Sequence, residues 1–122
     1  CFMERREALK YLQDIVDAGA RLAEFTAGKS FEDYCDEALL RSAVERQFEI
    51  IGEALNQALK VEPALAESIS NSGRIIAFRN RLIHAYGEIS NELVWSIVEA
   101  QLPRLAAEAA NLRDSYDAAP ES

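Results

Sequence analysis

Helical periodicity runs through almost the whole chain, and very little interrupts it. Only 3 Pro and 5 Gly occur among 122 residues, and most fall where a helix would start or stop. The strict apolar/polar alternation of a half-buried strand is nearly absent. Leu9, Leu12, Ile15, Val16 and Leu22 recur at helical spacing and predict a first helix near 4–27. Gly28 suits the position just past its end, where the backbone commonly turns left-handed. Ser30, followed by Phe31, Glu32 and Asp33, offers a capping hydroxyl and early carboxylates to a second helix. The stripe Val44, Phe48, Ile51, Leu55 and Leu59 carries that helix unbroken to about Leu59. Ala43, Ile50 and Ala54 widen its apolar arc to roughly 180°, more than one core-facing stripe needs. The extra width points to a second packing surface, such as another subunit.

Pro63 fits the first turn of a short helix over 63–69, and Ser70, Asn71, Ser72 and Gly73 form a polar break after it. A fourth helix is predicted from near Arg74 to Gly87. Ser90 then caps a last long helix with stripe residues Val94, Ile97, Val98, Leu105, Ala109 and Leu112. Pro103 lies inside it and predicts a kink, because proline removes a backbone donor and crowds the preceding turn. From Asp114 to Ser122 the chain is polar and reads as a frayed tail. Cys1 and Phe2, ahead of Met3, read as an expression scar. The expected architecture is all-α, a bundle of four longer helices and one short one.

Composition narrows the function classes. Hydrophobic residues at 49% with charged residues at 28% exclude wholesale disorder. Lys+Arg is 13 against Asp+Glu 21, a formal net charge of −8. Such a body repels phosphate backbones at long range, which argues against a protein that coats DNA or RNA. A local basic site is still compatible, since salt screens charges beyond ~8 Å. Cys1 and Cys35 form neither a disulfide framework nor a metal-type spacing, which fits a reducing cytoplasm. No apolar run approaches the ~20 residues of a membrane span, and no signal-peptide pattern is present.

One segment differs from the rest. Arg74 to Tyr86 holds three arginines, no acid and the single histidine of the chain. Asn80 and His84 are four apart and share a helix face, so the Asn amide could bond an imidazole nitrogen and set its tautomer. Arg79 and Tyr86, seven apart, also share a face. Arg79 and His84, five apart, point ~140° away from each other on a straight helix. They converge if the helix ends near Gly87, or if a two-fold partner supplies the missing group. A plainer reading stands beside this one. A single helical histidine is commonly a surface or satisfied core residue. The arginines could simply pair with Glu45, Glu49 and Glu53 of the second helix. Ile75, Ile76, Phe78, Leu82 and Ile83 read as core.

Arg79-Asn80-Arg81-Leu82-Ile83-His84-Ala85-Tyr86 resembles the signature of the HEPN superfamily, an Arg and a His set apart by a short spacer. It resembles more closely the Arg-Asn…His-x-Tyr motif of the HepT-like toxin branch. Phe48 to Leu55 is similar to that branch's Ile-Ile-Gly-Glu-Ala helix, and Leu93 to Leu105, with its Pro, to its closing helix. The likeness covers most of the chain. Ile69 and its neighbours depart from it, where the branch often places a Trp, which bears on packing more than on chemistry. The resemblance implies a single HEPN domain over 3–113, an up-and-down bundle that forms a homodimer with the motif at the subunit cleft. It implies a metal-independent ribonuclease without cofactor, the toxin of a type VII-like toxin–antitoxin pair in the cytoplasm. It implies an MntA-like nucleotidyltransferase as antitoxin, adding AMP to Tyr86. Arg79 and His84 would be catalytic, with Asn80 supporting.

The residue types suit that chemistry on their own terms. Metal-free RNA cleavage uses the 2′-hydroxyl as nucleophile, and needs a proton acceptor, a proton donor and a cation. An imidazole, titrating near neutrality, can move the protons, and a guanidinium can hold the phosphate. Arg74 and Arg81 could add phosphate contacts. Glu53 is the second-helix carboxylate that could orient Arg79, though spacing along the chain leaves open whether they meet. One His and scattered carboxylates offer no metal ligand set. Two other readings remain, a non-catalytic HEPN module that docks a nucleotidyltransferase, and a dimeric helical protein whose motif is structural.

Overall fold

Two of the long helices that periodicity predicts are each divided in two. The computed structural model describes residues 2–84 and 90–118. These form α1 (Phe2–Thr26), α2 (Phe31–Asp36), α3 (Ala38–Val61), α4 (Leu65–Ser68), α5 (Ser72–His84), α6 (Asn91–Ala100) and α7 (Leu102–Ala118). No strand occurs among the described residues, so the all-α expectation holds. Gly28 has φ +73°, the left-handed turn expected after α1. Ser30 and Asp33 close a reciprocal capping box at α2, and the Ser90 hydroxyl accepts the Leu93 N–H at α6.

The unbroken second helix predicted from Ser30 to Leu59 is corrected by the structure. Glu37 is extended, with φ −104° and ψ 99°, and separates α2 from α3. The reason lies in Arg41. Its Nη1 donates to the carbonyl of Tyr34 at 3.3 Å and to that of Cys35. A continuous helix would have given those carbonyls to the N–H groups four residues on. The Lys29 ammonium holds Glu37 at 3.1 Å, and Tyr34 is fully buried against Trp95 with ring centroids 5.5 Å apart. The kink expected at Pro103 is likewise a break. Proline has no N–H to give the carbonyl four residues back, and Gln101 separates α6 from α7 while staying near helical at φ −101° and ψ −33°. The short helix begins at Leu65, with Pro63 and Ala64 in the turn before it. α7 continues to Ala118, past the tail expected from Asp114, because Leu112 and Tyr116 pack against the core.

α1 lies between α3 and α7, α5 lies on α3, and α2 bridges α3 and α6. Ala8, Leu12, Ile15, Ala18 and Leu22 of α1 are all buried, the stripe that helical spacing demands. Val44, Phe48, Ile51 and Leu55 form the facing stripe on α3. α5 has one principal neighbour and therefore buries one face. Ile75 and Phe78 are core, and Phe78 meets Phe48 edge-to-face at 5.2 Å. Ile76, Leu82 and Ile83 stay half-buried, where the sequence reading had put them in the core. Among the described residues no helix is long and apolar enough to cross a membrane.

Candidate functional site

The buried pair Ile75 and Phe78 fixes how α5 is rotated, and that rotation turns Arg79 toward α3. Its Nη2 donates to Glu53 Oε1 at 2.6 Å, and its Nη1 to Asn80 Oδ1 at 2.9 Å. The other carboxylate oxygen of Glu53 accepts from Gln57 Nε2 at 2.8 Å. The Glu53 end of the pair is thus tied to Gln57 of α3 and the Arg79 end to Asn80 of α5, and the Arg79 side chain is only 22% exposed. Its Nε is buried without a hydrogen-bond partner. Each terminal nitrogen makes one of these bonds and carries two N–H groups, so one N–H on each is left for a ligand such as a phosphate oxygen.

Arg79 borders a cleft of about 320 Å³ between α1, α3 and α5. Tyr11, Ile50, Ala54 and Ile83 give it an apolar wall, and Asp14, Arg46, Glu49, Glu53 and Arg79 a charged one. Arg46 pairs with Glu49 at 3.4 Å across one turn of α3. Glu45, just beyond the cleft lining, has its carboxyl pushed above the usual range, first by burial and then by the Glu49 charge, with Arg41 opposing. Burial also raises the Tyr34 hydroxyl, with the Glu45 charge adding to it.

His84 does not line this cleft. It is exposed at the end of α5, on the side that also carries the exposed Arg74, Asn80 and Arg81. Arg74, Arg81 and His84 fall at helical spacing and form one solvent-facing stripe. The predicted Asn80–His84 hydrogen bond is absent among the described residues, and the Asn80 carbonyl oxygen accepts from Arg79. Of the three arginines, Arg79 alone takes a carboxylate of α3, and that carboxylate is Glu53. Arg79 faces the cleft and His84 lies on another side of α5, as their five-residue spacing on a helix requires. Tyr86 lies outside the described residues, as does the helix end expected at Gly87. Among the described residues, no three His, Cys, Asp or Glu side chains are grouped to hold a metal ion.

The family model described as Ribonuclease HepT-like matches residues 15–112. The chain belongs to the HepT-like ribonuclease family. Among its relatives is the protein named "Putative RNase" of Methanocaldococcus jannaschii, 31% identical over 108 residues, covering 87% of this chain and 96% of that one. The "Probable ribonuclease HepT" of Thermococcus cleftensis is 31% identical over 113 residues, covering 89% and 98%. A further "Putative RNase", from Caldanaerobacter subterraneus, is 33% identical over 95 residues, covering 78% and 84%. No solved structure matches the chain. Two residues at this candidate site had no role in the sequence reading: Gly52, which entered only within the Ile-Ile-Gly-Glu-Ala helix, and Gln57. A glycine in the middle of an unbroken helical stripe was the available signal for the first, since it weakens the helix unless something needs the space. Nothing marked Gln57, because its role depends on where Glu53 points.

Proposed function

We propose that the protein is a metal-independent endoribonuclease, acting as a homodimer and serving as the toxin of a type VII-like toxin–antitoxin pair. Its family and the names of its relatives support the ribonuclease reading. The observation that carries it to a mechanism is the division of labour on α5. Arg79 is held with two uncommitted N–H groups, and His84 stands exposed on another side of the same helix. In the proposed reaction, imidazole takes the 2′-hydroxyl proton, and the alkoxide attacks the adjacent phosphorus. The 5′-oxygen leaves with a proton from a second imidazole, and a 2′,3′-cyclic phosphate results. Arg79 offsets the charge that builds on the phosphoryl oxygens. Arg74 and Arg81 hold neighbouring phosphates. Glu53 and Asn80 orient Arg79.

A second copy supplies what one chain keeps apart. Two chains paired across this region would set His84 of one near Arg79 of the other and provide two imidazoles, one as acid and one as base. The half-buried Tyr11, Ile50 and Ile83 border the cleft and provide apolar surface for that contact. Inhibition follows from Tyr86. Its phenol oxygen attacks the α-phosphorus of ATP on an MntA-like nucleotidyltransferase, pyrophosphate leaves, and the added AMP blocks RNA two residues from His84.

The test is RNA cleavage by purified protein in EDTA, wild type beside His84→Ala. Cyclic-phosphate fragments from wild type and a loss of about 10²–10⁴-fold in the variant are expected. Cleavage that His84→Ala leaves intact, or that EDTA abolishes, overturns the mechanism. Wild-type protein whose intact mass shows no added AMP and which cuts no RNA overturns the enzyme reading in favour of a binding module.

A further inference from the structure

Gly52 sits inside α3 and is buried. It is not among the residues with positive φ, so no backbone turn calls for glycine there. In a helix interior glycine is a liability compared with alanine. What it supplies is space, and one side chain uses that space. A Cβ placed on Gly52 would overlap Cβ of Arg79, lie 2.5 Å from its Cγ and 3.3 Å from its Cδ. These are atoms at the root of the side chain, next to the α5 backbone, and they cannot swing aside as a flexible tip would. The Arg79 stem therefore lies directly on the α3 backbone.

The depth of that contact has two consequences. It shuts Nε away from water and from any acceptor, an arrangement that stability alone does not favour. It also brings Nη2 level with the next residue, Glu53, at 2.6 Å, while Gln57 one turn on fixes the other Glu53 oxygen. The terminal N–H groups are all that Arg79 can present to a ligand, and their position follows from how deep the stem sits.

We propose that Gly52 is a positioning residue for Arg79: its missing side chain sets the depth and direction at which the guanidinium meets an RNA phosphate. The inference rests on Arg79 being a phosphate ligand, as in the reading above. The probe is a fluorescent single-stranded oligoribonucleotide with 2′-O-methyl sugars, which binds but lacks the nucleophile. Its affinity is measured across a range of NaCl concentrations for wild type, Arg79→Ala, Gly52→Ala and the double variant, with helix content followed by circular dichroism. Losing one phosphate contact lowers the slope of log K against log salt by about 0.7 for single strands. A change in stability alone does not move that slope. Arg79→Ala is expected to lower it by that amount per site, folded Gly52→Ala to lower it equally, and the double variant to lower it no further. Cleavage of the unmodified RNA by Gly52→Ala should fall about 100-fold, the cost of a misplacement of ~1 Å. A folded Gly52→Ala with the wild-type slope overturns the proposal. If Arg79→Ala itself keeps the wild-type slope, the phosphate role of Arg79 fails and the proposal falls with it. If Gly52→Ala does not fold, moving the glycine across the contact, as Gly52→Ala with Arg79→Gly, should restore helix content. Failure to restore it overturns the proposal.

Discussion

Glu108 provides the sharpest test of how α5 is anchored. It lies on α7, 38 residues from Ser70, yet its carboxylate holds that residue twice. Oε1 accepts the Ser70 backbone N–H at 2.9 Å, and Oε2 accepts the Ser70 hydroxyl at 2.7 Å. Ser70 stands in the turn between α4 and α5, so this clamp sets where α5 begins. The Glu108 side chain is 23% exposed, and its nearer cation, Arg104, is 3.9 Å away, too far and too exposed to add much. A hydrogen bond to a charged group contributes about 1.5–3 kcal/mol, and partial access of water to both groups reduces the pair of bonds to about 2 kcal/mol together. Unfolding entropy of about 2.1 cal/mol/K per residue, over 122 residues, gives about 0.26 kcal/mol/K. Glu108→Ala should therefore lower Tm by about 8 °C, by the same conversion. Ser70→Ala leaves the backbone bond in place and should lower it by about 4 °C. Thermal melts of both and of the double variant form a cycle, with hydrogen exchange at the Ser70 amide as the local readout. A Glu108→Ala Tm within about 1 °C of wild type, or a Ser70→Ala cost that is undiminished in the Glu108→Ala background, would falsify the clamp.

Two further predictions concern stability. The Glu45 carboxyl is raised, chiefly by burial, so the folded state binds its proton more tightly than the unfolded state does. The resulting stabilisation is present in acid and is lost as pH rises through the folded pKa. Glu45→Gln should melt above wild type near pH ~7, and the gap should close below about pH 3, where glutamate is protonated in both states. A gap that is constant with pH would show that charge is not the cause. Gly28 has φ +73°, and a Cβ added to it would meet nothing within 4 Å, so alanine there faces backbone strain alone. Gly28→Ala should cost about 1 kcal/mol, read as a Tm lower by about 4 °C, and equal melting curves would refute the strain.

The helices were legible because their causes are local. Leu12, Ile15 and Leu22 on α1, and Val44, Phe48, Ile51 and Leu55 on α3, recur at the period of the helix and are buried where that period puts them. Gly28, Ser30 and Ser90 act on backbone groups within a few residues of themselves, so their effect is written in adjacent positions. The break at Glu37 was not legible. It depends on the Arg41 guanidinium turning back onto two carbonyls, a choice between hydrogen-bond partners that no breaker residue announces.

The candidate site divides the same way. Residue types and spacing marked Arg79, Asn80, Arg81 and His84 as a basic cluster and told that Arg79 and His84 diverge, because angle along a helix follows from sequence separation alone. Which acid meets Arg79 depended on the rotation and depth of α5 against α3. Phe78 packing on Phe48 sets the rotation, and the bare backbone at Gly52 sets the depth. The sequence reading singled out Glu53, but only the tertiary structure joined it to Arg79 and paired the Asn80 carbonyl oxygen with the same guanidinium. Contacts between residues 26 positions apart are decided by how whole helices pack, and no local pattern in the chain encodes them.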